Sequence, residues 1–244
     1  MERFSKQILL DGVGKQGQDK ISSVKLLIVG LGGISAPLVR YLASSGINNF
    51  DIIDDDVVET HNLPRQNNFY IEDVDKLKSE VTHELILKLN PDANVTSFSK
   101  RLDKKFLSER IEKYDYIIDG SDNFKTKFIC NDLSHNNNKI FVSGSFAGYK
   151  GYLSIYKSGI DITKPCFRCF HPEYIDDRNS RACYNQGVLS AGVGTVGTFM
   201  AAEIFKDIAG VGADIAGKMM VFDFLKNNHR IIRLSKNKTC KCNT

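Results

Sequence analysis

The stretch Val24-Lys25-Leu26-Leu27-Ile28-Val29-Gly30-Leu31-Gly32-Gly33-Ile34-Ser35 limits what this chain can fold into more than any other. An apolar segment of strand length ends in glycines, and a helix-compatible segment follows. A second apolar run, Phe50-Asp51-Ile52-Ile53-Asp54-Asp55-Asp56, then ends in acids. That order is the first half of a nucleotide-binding βαβ unit. Gly30, Gly32 and Gly33 let the backbone approach phosphate, and the helix beginning near Gly33 offers free N–H groups and the positive end of its dipole. Asp54, at the tip of the second strand, stands where a carboxylate takes ribose hydroxyls. Ser35 occupies the place of the third glycine in the pattern.

Further along, strands and helices alternate. Residues 3–10 and 17–21 read as short helical pieces ahead of the first strand. Leu77, Val81, Leu85 and Leu89 recur every fourth residue and predict a helix over 76–89 with one buried stripe, stopped by Asn90-Pro91. Short elements are expected at 94–99 and 105–113, then a buried strand at 114–119 that ends in Gly120-Ser121-Asp122-Asn123. A helix at 124–134 precedes strands at 139–145 and 151–156. The pattern disappears over 158–189, and a long helix at 192–208 leads to a closing hairpin of 219–225 and 229–234.

Serial alternation with mostly apolar strands predicts an α/β fold. Its nucleotide-binding sheet is mostly parallel, covered on both faces, and extended by antiparallel strands in the C-terminal half. We read residues 1–244 as one domain: a helical arm (1–22), a nucleotide-binding half (24–157), a loop bearing cysteines (158–190), and a helix, hairpin and cysteine tail (191–244).

Several classes are disfavoured. The net charge of +4 is mild, and Lys and Arg are scattered, which argues against nucleic acid as partner. No apolar run reaches the ~20 residues of a membrane span. The first residues lack an apolar signal core, so the expected setting is the cytoplasm. There, close cysteine pairs favour metal over disulfide. Gly192-Val193-Gly194-Thr195-Val196-Gly197 repeats the dinucleotide pattern but follows no strand, so close packing of a helix start is the expected reason for it.

Taken in series, the motifs resemble one family. They are residues 3–10, the Gly30 turn, Ile53-Asp54-Asp55-Asp56-Val57-Val58-Glu59, Asn62-Leu63-Pro64-Arg65-Gln66 and Lys78. Asp119-Gly120-Ser121-Asp122-Asn123-Phe124, Cys166-Phe167-Arg168-Cys169 and Gly187-Val188-Leu189 continue the match. From Arg3 to Cys242 the chain is similar to the ThiF/MoeB/HesA adenylyltransferases, relatives of the ubiquitin-activating enzymes.

That resemblance implies ATP-dependent adenylation of the C-terminal glycine carboxylate of a small ubiquitin-like sulfur-carrier protein ending in Gly-Gly. The resemblance further implies release of pyrophosphate and a homodimer. It assigns Arg65 and Lys78 to the phosphates, Asp122 to Mg2+, Asn123 beside it, Asp54 to ribose, and Asn62 to the nucleotide or its phosphates. Asp56 and Gln66 join the nucleotide site. Such attack of one anion on another needs charge cancelled around the triphosphate.

Cys166 and Cys169 have the spacing that grips one tetrahedral Zn2+. In the family a second pair completes the site. Here the tail is Cys240-Lys241-Cys242, with a single residue between the cysteines, so either both bind through a tighter loop or His171 substitutes. Cys183 matches a family cysteine that in some relatives links covalently to the carrier, and Arg178 and Arg181 nearby would activate its thiol. Its alternative is a loop cysteine under the crossover, and Cys130 is expected in the core. Asn185 replaces a usual acid. Lys6 replaces an arginine that reaches across a dimer interface to ATP, keeping the charge and losing the fork.

Two readings compete with the enzyme. A nucleotide-binding regulatory or scaffold protein would explain Lys6, Ser35 and Asn185. An NAD-linked dehydrogenase would leave Arg65, Asp122 and both cysteine pairs idle. A peptide-modifying adenylyltransferase is the remaining variant of the first reading.

Overall fold

The computed structural model describes residues 2–171 and 187–243. Cys183, Arg178, Arg181 and Asn185 therefore lie outside the described residues. Eight strands form one sheet in the order β3-β2-β1-β4-β5-β6-β7-β8. β1 (Lys25–Val29), β2 (Asn49–Ile53), β3 (Asn94–Phe98), β4 (Tyr116–Asp119) and β5 (Ile140–Ala147) run parallel. β6 (Lys150–Tyr156), β7 (Lys218–Asp223) and β8 (Asn228–Arg233) continue the sheet antiparallel. The expected mixed sheet is thus observed.

Helices cover both faces because β1 is apolar on both. Leu26 and Ile28 join one core cluster, and Leu27 and Val29 the other, as strand alternation requires. The first cluster takes in α2 (Gly14–Ser23), α3 (Ser35–Ser44), α4 (Lys78–Leu89) and α8 (Ser190–Ala209) through Ile21, Leu38, Ile86 and Ile204. The second takes in α5 (Lys104–Ser108), α6 (Phe124–Asn136) and α7 (Phe167–Phe170) through Phe106, Phe128 and Phe167. The short α1 (Ser5–Ile8) packs ahead of α2. Among the described residues no helix is long and apolar enough to cross a membrane.

After β1 the chain moves outward to β2 and β3, then returns to the other side of β1 for β4 and β5. The gap between the carboxyl ends of β1 and β4 is therefore a topological switch point, where open α/β sheets bind ligands. Both glycine-containing strand ends, Gly30 and Gly120, lie there.

α4 departs from the expected stripe. Leu77, Val81, Leu85 and Leu89 are only half-buried, whereas Lys78, Ser79, Thr82 and Ile86 are buried. Leu77 forms an isolated bridge with Val57, and the Lys78 N–H donates to the Asp56 carbonyl at 3.0 Å. These entry bonds turn Lys78 inward, and the leucine stripe follows to the side.

Of the glycines of 192–197, Gly192 and Gly197 serve packing, as expected. A Cβ on Gly192 would stand 2.5 Å from the Phe146 ring, and one on Gly197 would collide with the Ile34 carbonyl. Gly194 has nothing within 4 Å of that position. Gly197→Ala should destabilise the protein by about 2 kcal/mol or more, because backbone and not a yielding side chain meets the methyl. Gly194→Ala should stabilise it by about 1 kcal/mol through helix propensity alone. Urea unfolding of both variants checks the contrast, and equal shifts would contradict the packing of α8 on α3.

Candidate functional site

The site is built on the glycine turn after β1. Gly30 has φ of +79°, a conformation that a side chain resists, and its N–H donates to the Ile53 carbonyl at 2.9 Å. A Cβ there would also lie 3.0 Å from the Ser121 backbone. Gly33 is fixed by neighbours too, with the Arg65 carbonyl 2.8 Å from where its Cβ would be. Gly32 differs: only Gln66 Nε2, at 3.8 Å, lies near its Cβ position. That leaves room for a ligand to approach the Gly32 backbone. Ser35 explains its own departure from the glycine pattern, since its buried hydroxyl donates to the Gly30 carbonyl at 2.5 Å.

The acidic end of β2 folds back onto this turn. Asp54 Oδ2 accepts the Leu31 N–H at 2.6 Å, and Oδ1 accepts the Asp56 N–H at 2.8 Å. Burial raises its carboxyl above the ordinary value, against the lowering pull of those two N–H groups. Each oxygen keeps a lone pair for a further donor. Asp56 turns to α4, where its Oδ2 lies 2.7 Å from Lys78 Nζ. The Lys78 side chain is 6% exposed and that of Asp56 61%, so a buried cation is neutralised by an exposed anion.

Residues 60–69 pack beside the turn. Asn62 is buried, and its Oδ1 accepts the Glu59 N–H at 3.2 Å, which shapes the loop. Arg65 Nη1 donates to the His61 carbonyl at 2.7 Å. Arg40 of α3 reaches the same loop through Asn68, at 2.7 Å. Gln66 is 4% exposed, and its Oε1 has no hydrogen-bond partner among the described residues. The side chain whose Nε2 borders Gly32 thus holds a buried acceptor without a donor, and a nucleotide hydroxyl or amine is a donor of the right kind.

From the other side comes the loop after β4. Asn123 caps α6 by accepting the Thr126 N–H at 2.9 Å, so the cap belongs to Asn123 and not to Asp122. Asp122 is exposed, and among the described residues nothing pairs with its carboxylate. Sequence reasoning gave no role to the pair beneath, Asp119 and Lys127, whose Oδ2 and Nζ lie 2.5 Å apart. The available signal was an acid closing an otherwise apolar strand.

Lys6 is not brought to this site. Its helix α1 is anchored through Gln7, which donates to the Ser45 carbonyl at 3.1 Å, and Phe4 packs on Gly46. Ser45 and Gly46 follow the far end of α3, so the arm is roughly 15 Å from the glycine turn, the length of that helix. Lys6 therefore stands apart from the glycine turn within one copy of the chain.

The cysteines resolve their own ambiguity. Cys166, Cys169, Cys240 and Cys242 place their sulfurs within 4.8 Å of one another. Three of the distances, 3.9, 3.6 and 3.5 Å, fall near the ~3.8 Å edge of a tetrahedron with Zn–S bonds of ~2.3 Å. The tighter Cys240-Lys241-Cys242 tail fits, because a turn of 3-10 helix at Lys241–Asn243 brings its second thiol round. His171 instead packs on Phe167, 4.6 Å between ring centres, and burial, then Lys127, pulls its pKa down to about 4. Cys130 is buried in the core, as expected. The knuckle is tied to α6 by a forked ion pair of Arg168 with Asp132, at 2.6 and 2.7 Å.

Burial pushes the Cys166 thiol well up and Cys242 to about 11, so uptake of a metal by these thiols would release protons and weaken as pH falls. Purified protein should carry close to one zinc per chain by elemental analysis. Cys240→Ser should lower both zinc content and melting temperature. Metal-free protein prepared without chelator, yet fully folded, would contradict a structural zinc.

The ThiF family model matches residues 4–244. The chain is 35% identical over 239 residues to "Adenylyltransferase and sulfurtransferase MOCS3" of Drosophila virilis, covering 98% of this chain and 52% of that protein. It is 33% identical over 242 residues to "Sulfur carrier protein ThiS adenylyltransferase" of Escherichia coli K12, covering 98% of this chain and 93% of that one. It thus spans about half the length of the first relative and nearly all of the second. Among solved structures, E. coli MccB with ATP superposes with a TM-score of 0.84 at 22% identity, over 99% of this chain and 74% of that one, a likeness of fold.

Proposed function

The chain belongs to the ThiF family, and from that membership and the site geometry we propose that it adenylates the C-terminal glycine carboxylate of a small ubiquitin-like sulfur-carrier protein. A carboxylate oxygen of the carrier attacks the α-phosphorus of ATP, the bond to the β-phosphate oxygen breaks, and pyrophosphate leaves an acyl-adenylate behind. The observation that carries this reading is the meeting of four features at the β1/β4 switch point. They are an open glycine turn, a buried lysine with an exchangeable partner, and, among the described residues, a Gln66 acceptor and an Asp122 carboxylate without partners.

Each residue has a stated task. Asp54 takes the ribose hydroxyls with its free lone pairs, and Gly32 lets the phosphates approach backbone. Lys78 exchanges Asp56 for a phosphate oxygen. Arg65 adds a second cation, its guanidinium able to meet phosphate with two donors. Gln66 and Asn62 border the nucleotide, and Asn123 holds the start of α6 beside Asp122. Asp122 would hold Mg2+, whose chemistry is to neutralise the triphosphate charge. Zn2+ in the four-cysteine knuckle would hold the tail against α7. Lys6 acts from a second copy, which makes the working unit a homodimer. The cytoplasm, where thiols stay reduced, suits the cysteine cluster.

The test is carrier-dependent ATP–pyrophosphate exchange, with a ubiquitin-like carrier ending in Gly-Gly as probe and the same carrier lacking its last glycine as control. Asp122→Ala should abolish exchange, a loss of at least a hundredfold, because the metal–phosphate complex loses its organiser. Cys183→Ala should leave exchange intact, since adenylation needs no protein thiol, and should remove only a later thiol-sensitive adduct with the carrier. Exchange that persists in Asp122→Ala, or that ignores the missing glycine, would contradict the reading.

A further inference from the structure

Beneath the loop that carries Asp122 lies an ion pair that the proposed chemistry leaves unused. Asp119 closes β4 with its side chain 0% exposed, and Lys127 of α6 is 5% exposed. Lys127 Nζ lies 2.5 Å from Asp119 Oδ2, donates to the Gly144 carbonyl at 3.0 Å, and reaches Ser143 Oγ at 3.4 Å. The other oxygen of Asp119 accepts from both ends of one residue: the Ser121 N–H at 3.1 Å and the Ser121 hydroxyl at 2.5 Å.

A buried ion pair is a weak device for stability alone, because an apolar pair of like volume often holds a fold as well or better. What an apolar pair lacks is direction. Here every bond of the pair is spent on one loop and on the strand beside it. The lysine fixes the carboxylate against β5 through Ser143 and Gly144, and the carboxylate fixes Ser121. On its opposite side Ser121 is pressed against the glycine turn, where a Cβ on Gly30 would be 3.0 Å from its backbone. A side chain on Gly120 would collide with the Ser35 hydroxyl that ties that turn. The loop 120–123 is therefore clamped from two sides at Ser121, and the residue after Ser121 is Asp122, whose carboxylate has no partner among the described residues.

We propose that Lys127 is a positioning residue: through Asp119 and Ser121 it holds the Asp122 carboxylate over the glycine turn, where the metal–triphosphate must meet it. This rests on the reading of Asp122 as the magnesium-binding carboxylate. Lys127 touches no reacting atom. Its effect is to remove the ordering of the loop from the cost of binding the metal–nucleotide complex.

The test uses full-length protein and three variants. Asp119→Leu/Lys127→Met replaces the pair by apolar side chains without stranding a buried charge. Lys127→Arg keeps the charge, and Asp122→Ala removes the residue being positioned. Two readouts are taken below the melting temperature: amide hydrogen exchange at 121–123, and the Mg2+ concentration that half-saturates carrier-dependent pyrophosphate exchange.

In the double variant, loop amides should exchange at least tenfold faster and the half-saturating Mg2+ concentration should rise at least fivefold. Lys127→Arg should recover most of both. A lowered melting temperature with unchanged Mg2+ dependence would overturn the inference and leave a merely structural pair. Faster amide exchange with unchanged Mg2+ dependence would overturn it as well, because the clamp would then not act on Asp122. If Asp122→Ala itself retains exchange and its Mg2+ dependence, the underlying reading of Asp122 falls, an outcome distinct from failure of the clamp alone.

Discussion

Everything at the switch point depends on two strand-end loops packed without a side chain between them. Gly30 and Gly120 bring the loops after β1 and β4 together, and the Ser35 hydroxyl closes the contact by bonding the Gly30 carbonyl. A Cβ at Gly30 would press on the Ser121 backbone, and one at Gly120 would displace the Ser35 hydroxyl. The contact couples the turn that can face phosphate to the loop that holds Asp122. On the far side of the turn, Asp54 performs the same service through the Leu31 N–H. One short segment of backbone is thus fixed from β2, β4 and α3 at once, and that preorganisation is what electrostatic catalysis requires.

Two lysine–aspartate pairs flank this segment, and their exposures divide their roles. Lys78 and Lys127 are both buried, but Asp56 is open to solvent and Asp119 is not. A buried ammonium must keep an anion nearby. Lys78 can trade Asp56 for another anion because that carboxylate is able to swing into water. Lys127 cannot trade Asp119, whose oxygens are committed to the loop. Similar chemistry at the two positions therefore gives one pair suited to exchange and one suited to hold a shape.

Much of this was legible in the residues. The apolar run into Gly30, the acids after Ile53 and the serial alternation carried the mixed sheet and its crevice, because strand period and turn chemistry are local properties. What escaped depended on partners distant in sequence. The α4 stripe was misplaced because the backbone bonds of residues 77 and 78 to Val57 and Asp56 turn Lys78 inward, which no periodicity reveals. The tail Cys240-Lys241-Cys242 departed from the usual spacing, yet its geometry closes the cluster once the chain brings it beside Cys166. Lys127 carries no signal in the sequence, because its burial against Asp119 depends on the fold.

The central claim is that this crevice directs a carrier carboxylate to the α-phosphorus of ATP. It is tested most directly by following label from two positions of the nucleotide. With Mg2+, the protein and a Gly-Gly carrier, label in the α-phosphate should appear on the carrier as an acid-stable, hydroxylamine-released adenylate, while label in the γ-phosphate should leave wholly as pyrophosphate. Transfer of the γ-label to carrier or protein, or no transfer from either position while ATP is bound, would contradict the account.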